Sequence, residues 1–188
     1  MHRPYFAGFG WPLRPWGNLV LFLLLVSYGC QAQEPPLSPA AASFKKEVKD
    51  CIDRIAGPLV EPLSKKDIGA LNETLKKVEP EAIKLCRMCP FRIGVLDKNG
   101  DTLTIYPFKE DAKGDFSKYE VVVQVLKNRR IAGQRFFMQD GSKIYIICVP
   151  ISHNEELLGV LALALGSEEA QKLWGITEKE FLAIDFNR

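Results

Sequence analysis

The chain has 188 residues, 47% hydrophobic and 26% charged, which is typical of one globular domain preceded by a short processing segment. It carries 25 Lys and Arg against 23 Asp and Glu, and two of the arginines, Arg3 and Arg14, lie in an N-terminal stretch without acids. The rest of the chain is therefore neutral, which argues against nucleic acid as a partner. His153 is the only histidine beyond residue 2, which excludes a multi-histidine metal site.

The first thirty residues have the pattern of an export signal. Arg3 and Arg14 precede the unbroken apolar run 19–26, which is too short to span a bilayer, since a spanning helix needs about 20 residues. The Gly29-Cys30 pair after the run resembles the lipobox of bacterial lipoproteins, in which the cysteine is lipidated and becomes the new N-terminus. Lipidation at Cys30, ordinary cleavage after Ala32 and an uncleaved anchor are the alternatives, and each places the remaining chain outside the cytoplasm.

Residues 31–42 are polar and rich in proline, and they predict a flexible tether to a single domain at 43–188. A first amphipathic helix is predicted to end at Gly57-Pro58, with apolar positions at helical spacing: Phe44, Val48, Cys51, Ile52, Ile55 and Leu59. Ser64 with Asp67 resembles a capping box for a second helix, and Pro80 is predicted to close it.

Two strands follow these helices. Apolar residues alternate over 91–95, the turn Asp97 to Asp101 contains an Asn-Gly pair, and Leu103 and Ile105 continue on the return strand. Residues 107–115 are polar and predict a loop. The segment 117–127 favours a helix, because its apolar centre lacks strand alternation and Asp115 or Ser117 offers an N-cap.

A second hairpin is predicted from residues 135–139, an Asp140-Gly141 turn and a strand over 143–151, and 157–165 forms the last strand. The last two strands are apolar on both faces, so we expect them to be central in the sheet and covered on each side. The first helix covers one face in this interpretation, and the helix at 117–127 covers the other. Ser167 and the Thr177/Glu180 capping box then begin two short helices.

Two strands, a helix and three strands after an amphipathic helix resemble the Cache family of extracellular sensor domains, which share a PAS-like fold. The resemblance covers roughly residues 40 to 165, and the segments that carry it are 133–138, 141–145, 149–151 and 158–161. It implies an α+β fold with a five-stranded antiparallel sheet in the order β-β-α-β-β-β. A long N-terminal helix would pack on one face, and short helices would follow at the C-terminus.

The resemblance also implies a function, because Cache domains bind small molecules, often carboxylates or amino acids, between the sheet and the helix and loop that cross it. A pocket is expected among the loop 107–115, the helix 117–127 and the following strands. Arginines suited to a bidentate carboxylate contact and tyrosines that offer hydroxyls are the predicted ligand-binding residues: Arg130, Arg135, Tyr106, Tyr119 and Tyr145. Amino-acid-binding members carry an Arg and a Trp near the pocket helix, whereas the tryptophans of this chain are at 11, 16 and 174.

The Cys86-x-x-Cys89 pair leaves several alternatives open in an oxidising compartment. Haem attachment is excluded because Pro90, rather than a histidine, follows the second cysteine. Three interpretations remain. The pair could form a structural disulfide, either within itself or from one of its members to Cys51; it could be redox-active; or it could bind zinc together with Cys51 and Cys148. Cys148 alone is predicted to be an inert buried thiol.

Three functional hypotheses follow. The first is a periplasmic sensory domain, tethered to a membrane through a lipid on Cys30 or secreted without it, that binds a small molecule such as an organic carboxylate. Because no second membrane span follows Leu165, it would act through a partner such as a sensor kinase, chemoreceptor or transporter. The second is a redox-responsive module that uses Cys86 and Cys89, and the third is a structural lipoprotein that uses the fold as a protein interface. No cofactor is predicted, and His153 stands in no nucleophile motif, so we do not expect an enzyme.

Overall fold

The computed structural model describes residues 36–85, 92–107 and 116–188, and residues 37–188 belong to one compact unit. Within the described ranges, a five-stranded sheet and five helices follow the predicted order β-β-α-β-β-β, so the α+β fold class is confirmed. The elements are α1 (Pro39–Ser64), α2 (Ile68–Ile83), β1 (Ile93–Asp97), β2 (Thr102–Tyr106), α3 (Glu120–Asn128), β3 (Ala132–Phe137), β4 (Lys143–His153), β5 (Glu156–Gly166), α4 (Ser167–Trp174) and α5 (Glu178–Ala183).

The sheet is antiparallel throughout, with the strand order β2-β1-β5-β4-β3. Strands β4 and β5 pair along their whole length and each has a neighbour on both sides, which confirms the central position predicted from their two apolar faces. The β1–β2 turn forms as predicted, because the Asp97 carboxylate accepts from the backbone of Asn99 and Asp101 and Gly100 takes a φ of 93°.

Each face of the sheet carries its own apolar layer, as the sequence predicted. On one face, α1 and α2 cover Ile147 and Leu163, and Phe44 of α1 lies edge-on to Trp174 and Phe181 of the C-terminal helices. On the opposite face, α3 is the only described helix in the layer, and it contributes three buried valines, Val121, Val122 and Val125. The two layers therefore differ, since buried aromatic rings of the C-terminal helices pack in one and the α3 layer buries only aliphatic residues of its helix.

Both prolines that were predicted to end helices lie inside them. Helix α1 passes through Gly57-Pro58, and α2 passes through Pro80. A proline in a helix interior costs about 3 kcal/mol of stability. For Pro58 this cost is reduced, because Gly57 lacks the Cβ that would clash with the proline ring. The last turns of α1 also bury Leu59 and Leu63, and burial of a leucine side chain contributes about 1.5–3 kcal/mol. Burial of the apolar face therefore outweighs the proline signal.

Several predicted boundaries shift by a few residues. Helix α1 begins at Pro39, inside the tether predicted for 31–42, and Asp67 rather than Ser64 caps α2. The cap position of α3 is Tyr119, without a side-chain hydrogen bond, so Ser117 does not serve there. Strand β3 begins three residues before the predicted Arg135, and Gly166 rather than Ser167 is the N-cap of α4.

One carboxylate joins the start of α1 to the C-terminal helices. The Ser38 hydroxyl accepts from the Ala41 backbone and donates to the Glu180 carboxylate at 2.6 Å. Glu180 also forms the predicted capping box with Thr177. These hydrogen bonds, the one from Ser38 first, lower the pKa of Glu180 from 4.5 to about 2.

Within the part of the chain that the structure describes, no helix combines the length and the apolar character needed to cross a bilayer. The predicted export signal at 1–30 and the Cys30 lipidation site fall outside the described residues and stay predictions.

Candidate functional site

A row of small residues crosses four strands beneath α3. Gly94 of β1 is paired with Ala162 of β5, Ala162 with Cys148 of β4, and Cys148 with Ala132 of β3. Because directly paired residues point to the same face of a sheet, these four positions form a shallow floor under the helix. A Cβ built on Gly94 would contact the Ala162 Cβ at 3.6 Å, so the floor is closely packed across the strands.

A cavity of about 220 Å³ lies on this floor, between the sheet and α3. Its walls are aliphatic, and three aromatic rings stand over one side: the Tyr119 ring centroid lies 5.2 Å from that of Phe116 and 5.5 Å from that of Phe136. Tyr119 and Phe137 are the exposed members of the lining and mark its open side. The cavity, called the α3 cavity below, is lined by Gly94, Leu96, Ile105, Phe116, Tyr119, Val121, Val122, Phe136, Phe137, Met138, Ile144, Ile146, Cys148 and Ala162.

The described lining of the α3 cavity carries no ionisable carboxylate, amine, guanidinium or imidazole. Its side-chain polar groups are the Tyr119 hydroxyl and the Cys148 thiol. Burial raises the pKa of the Cys148 thiol to about 12, so the thiol stays neutral at physiological pH. The nearby Gln134 side chain is already used, because its carbonyl oxygen accepts from the Val121 backbone at the start of α3. The site is therefore suited to apolar contacts.

One of the five predicted ligand-binding residues, Tyr119, lines the α3 cavity, and the other four lie elsewhere. Tyr106 packs in the α1/α2 layer, where burial and the Glu79 carboxylate raise its pKa. Tyr145 is buried in the same layer, with its ring stacked on Phe181 at a centroid distance of 4.0 Å. Strand alternation is the reason, because Tyr145 and Tyr106 point to the face opposite to their neighbours Ile144 and Ile105.

The two predicted arginines are engaged outside the cavity. Arg135 is paired with Tyr145 across β3 and β4, so it shares that residue's face, and it forms an ion pair with Glu178 of α5. Its guanidinium also lies 4.5 Å from the centre of the Phe137 ring. Arg130 follows α3, is largely exposed and lies 3.4 Å from the Asp185 carboxylate. Neither arginine is a lining residue of the α3 cavity, although Arg135 contacts the Phe137 ring at its open side.

A second, wider cavity lies where the α1–α2 connection meets the β1–β2 turn and the β4–β5 turn. Its volume is about 470 Å³, and exposed polar residues of the turns, including Lys66, Lys98, His153 and Asn154, form much of its rim. His153 therefore lies at a solvated surface, as its place in a turn predicted. We regard the α3 cavity as the better ligand site, because most of its lining residues are buried.

The structure describes two of the four cysteines in the predicted alternatives, Cys51 and Cys148. Cys51 is a free, buried thiol that donates to the Glu81 carbonyl oxygen at 3.3 Å, so a bridge to it is not formed. Burial and the nearby Glu81 carboxylate raise the pKa of the Cys51 thiol to about 12. Cys148 is likewise free and buried, as predicted. Cys86 and Cys89 lie outside the described residues, and the described residues contain no cluster of three or more metal-ligating side chains.

Sequence reasoning missed the small residues of the floor and the flanking phenylalanines Phe116 and Phe136. The signal was present, since Gly94, Cys148 and Ala162 interrupt strands that are otherwise rich in Ile, Val and Leu. Only the strand register brings them side by side, and the register joins positions that are 14 and 68 residues apart in the sequence.

Comparison of the sequence with protein-family models and with curated proteins finds no match. Similar solved structures include the ligand-binding domain of the amino acid chemoreceptor PctC from Pseudomonas aeruginosa PAO1 in complex with GABA, at 17% identity and a TM-score of 0.53 over 71% of this chain and 60% of that one. The ligand-binding domain of the Pseudomonas fluorescens chemoreceptor CtaA with L-serine matches at 14% identity and a TM-score of 0.55, over 82% of this chain and 63% of that one. An extracellular domain ascribed to the histidine kinase vpHK1S-Z8 matches at 16% identity and a TM-score of 0.57, over 74% of this chain and 57% of that one.

The chain thus spans about three fifths of the length of these matched chains. At such identities the likeness concerns the fold. The described domain has the Cache-like, five-stranded α+β fold of extracellular sensor domains.

Proposed function

We propose that this chain is an extracytoplasmic sensory domain that binds a small molecule in the α3 cavity. The observation that carries the proposal is the row of small side chains under α3, which leaves a cavity of about 220 Å³ whose lining residues are mostly buried. Protein interiors rarely keep voids much larger than a water molecule without a use for them. Similar folds in solved structures are ligand-binding domains, with GABA or L-serine bound.

The proposed location is the periplasm, where the chain is tethered by a lipid on Cys30 or is released if that cysteine is not modified. The apolar run 19–26 and the Gly29-Cys30 pair support it. The chain would report its state to a partner such as a sensor kinase, chemoreceptor or transporter. Binding rather than catalysis is the proposed activity, because the α3 cavity brings together no nucleophile with a base among its described residues.

Helix α3 is the element through which the bound state would be read. It lies directly over the cavity and holds to the sheet through three valines and the Gln134 hydrogen bond. A ligand between α3 and the floor would bury further apolar surface on both, at about 25 cal/mol per Å². It would therefore favour one position of α3 over others, and a partner that contacts this helix could sense the difference.

Thermal shift and calorimetry against a panel of neutral, anionic and zwitterionic small molecules test the proposal. We expect at least one compound to raise the unfolding temperature and to lose its effect in Ala162→Leu, because a leucine on the floor fills the cavity. Ala183→Leu is the matched control, since Ala183 is exposed on α5 and the substitution adds the same atoms away from the site.

A panel in which no compound binds, or in which binding survives Ala162→Leu, would contradict the proposal. Crosslinking that recovers one specific partner from a chain that binds no small molecule would instead favour the structural interface hypothesis.

A further inference from the structure

We infer that the ligand of the α3 cavity is a small, uncharged, ring-containing molecule whose single polar group faces the open side at Tyr119. This inference rests on the proposed function. It differs from the organic carboxylate that the sequence predicted, and it follows from the charge, size and shape of the lining.

Charge is the first reason. The described residues that line the cavity include no cation. Of the arginines predicted to meet a carboxylate, Arg130 is paired with Asp185, and Arg135 is paired with Glu178 and contacts only the Phe137 ring at the open side. A carboxylate moved from water into an apolar site loses hydration that none of the described lining residues replaces with a charge, at a cost of several kcal/mol. The same reasoning applies to the ammonium group of an amino acid. A neutral molecule avoids both costs.

Size is the second reason. A buried apolar cavity of about 150 Å³ is known to hold benzene, whereas sites for drug-sized ligands have volumes of about 300–1,000 Å³. The α3 cavity, at about 220 Å³, lies between these values. It therefore suits one ring with a small substituent rather than a longer chain or a fused polycycle.

Shape is the third reason. The small residues Gly94, Ala162 and Cys148 bound the cavity on the sheet side, and the buried Val121 and Val122 of α3 bound it on the other. Phe116, Tyr119 and Phe136 stand at one side, with neighbouring ring centroids 5.2 and 5.5 Å apart. Aromatic rings at such distances favour offset or edge contacts with a further ring, worth about 0.5–1.5 kcal/mol per pair beyond burial.

The polar groups of the lining fix the orientation of the ligand. Cys148 lies at the floor, is 1% exposed and carries a neutral thiol, which is a weak hydrogen-bonding group. Tyr119 is 42% exposed, so its ring borders the cavity while its side chain still meets solvent. A ring would thus enter with its apolar edge towards Cys148 and its polar substituent beside Tyr119.

Benzamide and benzoate form a matched pair of probes, because they share a ring and a planar substituent and differ in charge at neutral pH. We expect benzamide to raise the unfolding temperature of the exported protein and to give a calorimetric binding signal. Benzoate and L-phenylalanine should bind at least tenfold more weakly. Ala162→Leu should abolish benzamide binding, and Ala183→Leu should leave it unchanged.

The outcomes separate this inference from the proposed function. If benzoate or L-phenylalanine binds as tightly as benzamide or more tightly, and Ala162→Leu abolishes that binding, the inference is overturned while the proposed function stands. If benzamide binds equally well to Ala162→Leu, the probe occupies another surface and the inference is overturned as well. If neither these probes nor the wider panel binds at all, the proposed function fails too.

Discussion

Truncation of Phe181 to alanine should be among the most damaging single substitutions in the domain. Phe181 is 1% exposed, stacks on Tyr145 at 4.0 Å and meets Phe44 edge-on at 6.2 Å. The site cannot readily collapse, because its neighbours belong to three different elements, α1, β3 and β4, and a Cβ built on Gly133 of β3 would lie 3.1 Å from the Phe181 ring. A buried Phe→Ala change typically costs about 3–5 kcal/mol.

Leu182 provides the control for this prediction, because it is adjacent in α5 and is 53% exposed. Leu182→Ala should change the free energy of unfolding by no more than about 0.5 kcal/mol. Urea denaturation followed by circular dichroism measures both, and with a slope of about 2 kcal/mol per M the Phe181→Ala midpoint should fall by about 2 M. Equal midpoints for the two variants, or a loss below about 1 kcal/mol for Phe181→Ala, would show that the aromatic layer does not hold the C-terminal helices on the sheet.

Three further predictions concern single sites. The pKa of Glu180 is lowered to about 2, so its contribution to the stability of the fold is full above pH 4.5 and is lost as the pH falls towards 2. In thermal melts at several pH values, Glu180→Gln should be less stable at pH 7 and should lose part of this acid dependence. Gly159→Ala should destabilise the folded domain by about 1–3 kcal/mol or more, because a Cβ there would lie 2.4 Å from the Leu96 carbonyl oxygen. Gly94→Ala is the matched control: its nearest contact would be at 3.6 Å, so this variant should fold with a near-normal melting temperature. Cys51 and Cys148 should resist iodoacetamide in the folded protein and react in urea, and peptide mapping that finds either thiol labelled under native conditions would contradict their burial.

Much of the fold could be predicted from the sequence, because local pattern determines it. The alternation of apolar residues and the Asn-Gly and Asp-Gly turns define the hairpins, and strands that are apolar on both faces require a layer on each side. Helix ends were predicted less well. Pro58 and Pro80 signal a break locally, yet the helices continue because burial further along the same apolar stripe stabilises them.

The candidate site was harder to predict than the fold. The expected pocket region coincides in part with the α3 cavity, since α3, the strands after it and Tyr119 line that cavity, whereas residues 108–115 of the predicted loop lie outside the described residues. Alternation places Tyr145 opposite to Ile144 on β4, but it does not say which of these two faces α3 covers. That choice follows from how both helical layers pack together. Arg135 then shares the face of Tyr145 because the two residues are paired, so both predicted ligand-binding residues lie on the face opposite to α3.

The two faces of the sheet differ in how large the side chains are that hold their helices. This difference is a physical reason to expect a bound ligand to change the position of α3 and not that of α1. The α1 face is filled by large side chains such as Phe44, Phe181 and Tyr145, so displacement there would open voids at high cost. Helix α3 has nine residues, its N-cap residue Tyr119 makes no side-chain cap hydrogen bond, and Val123 is 44% exposed. The sheet residues beneath α3 have small side chains, so few of their atoms contact the helix. A short helix over an incompletely filled cavity is the element whose position a bound ring can most easily change, and hydrogen exchange of the α3 amides with and without ligand would detect that change directly.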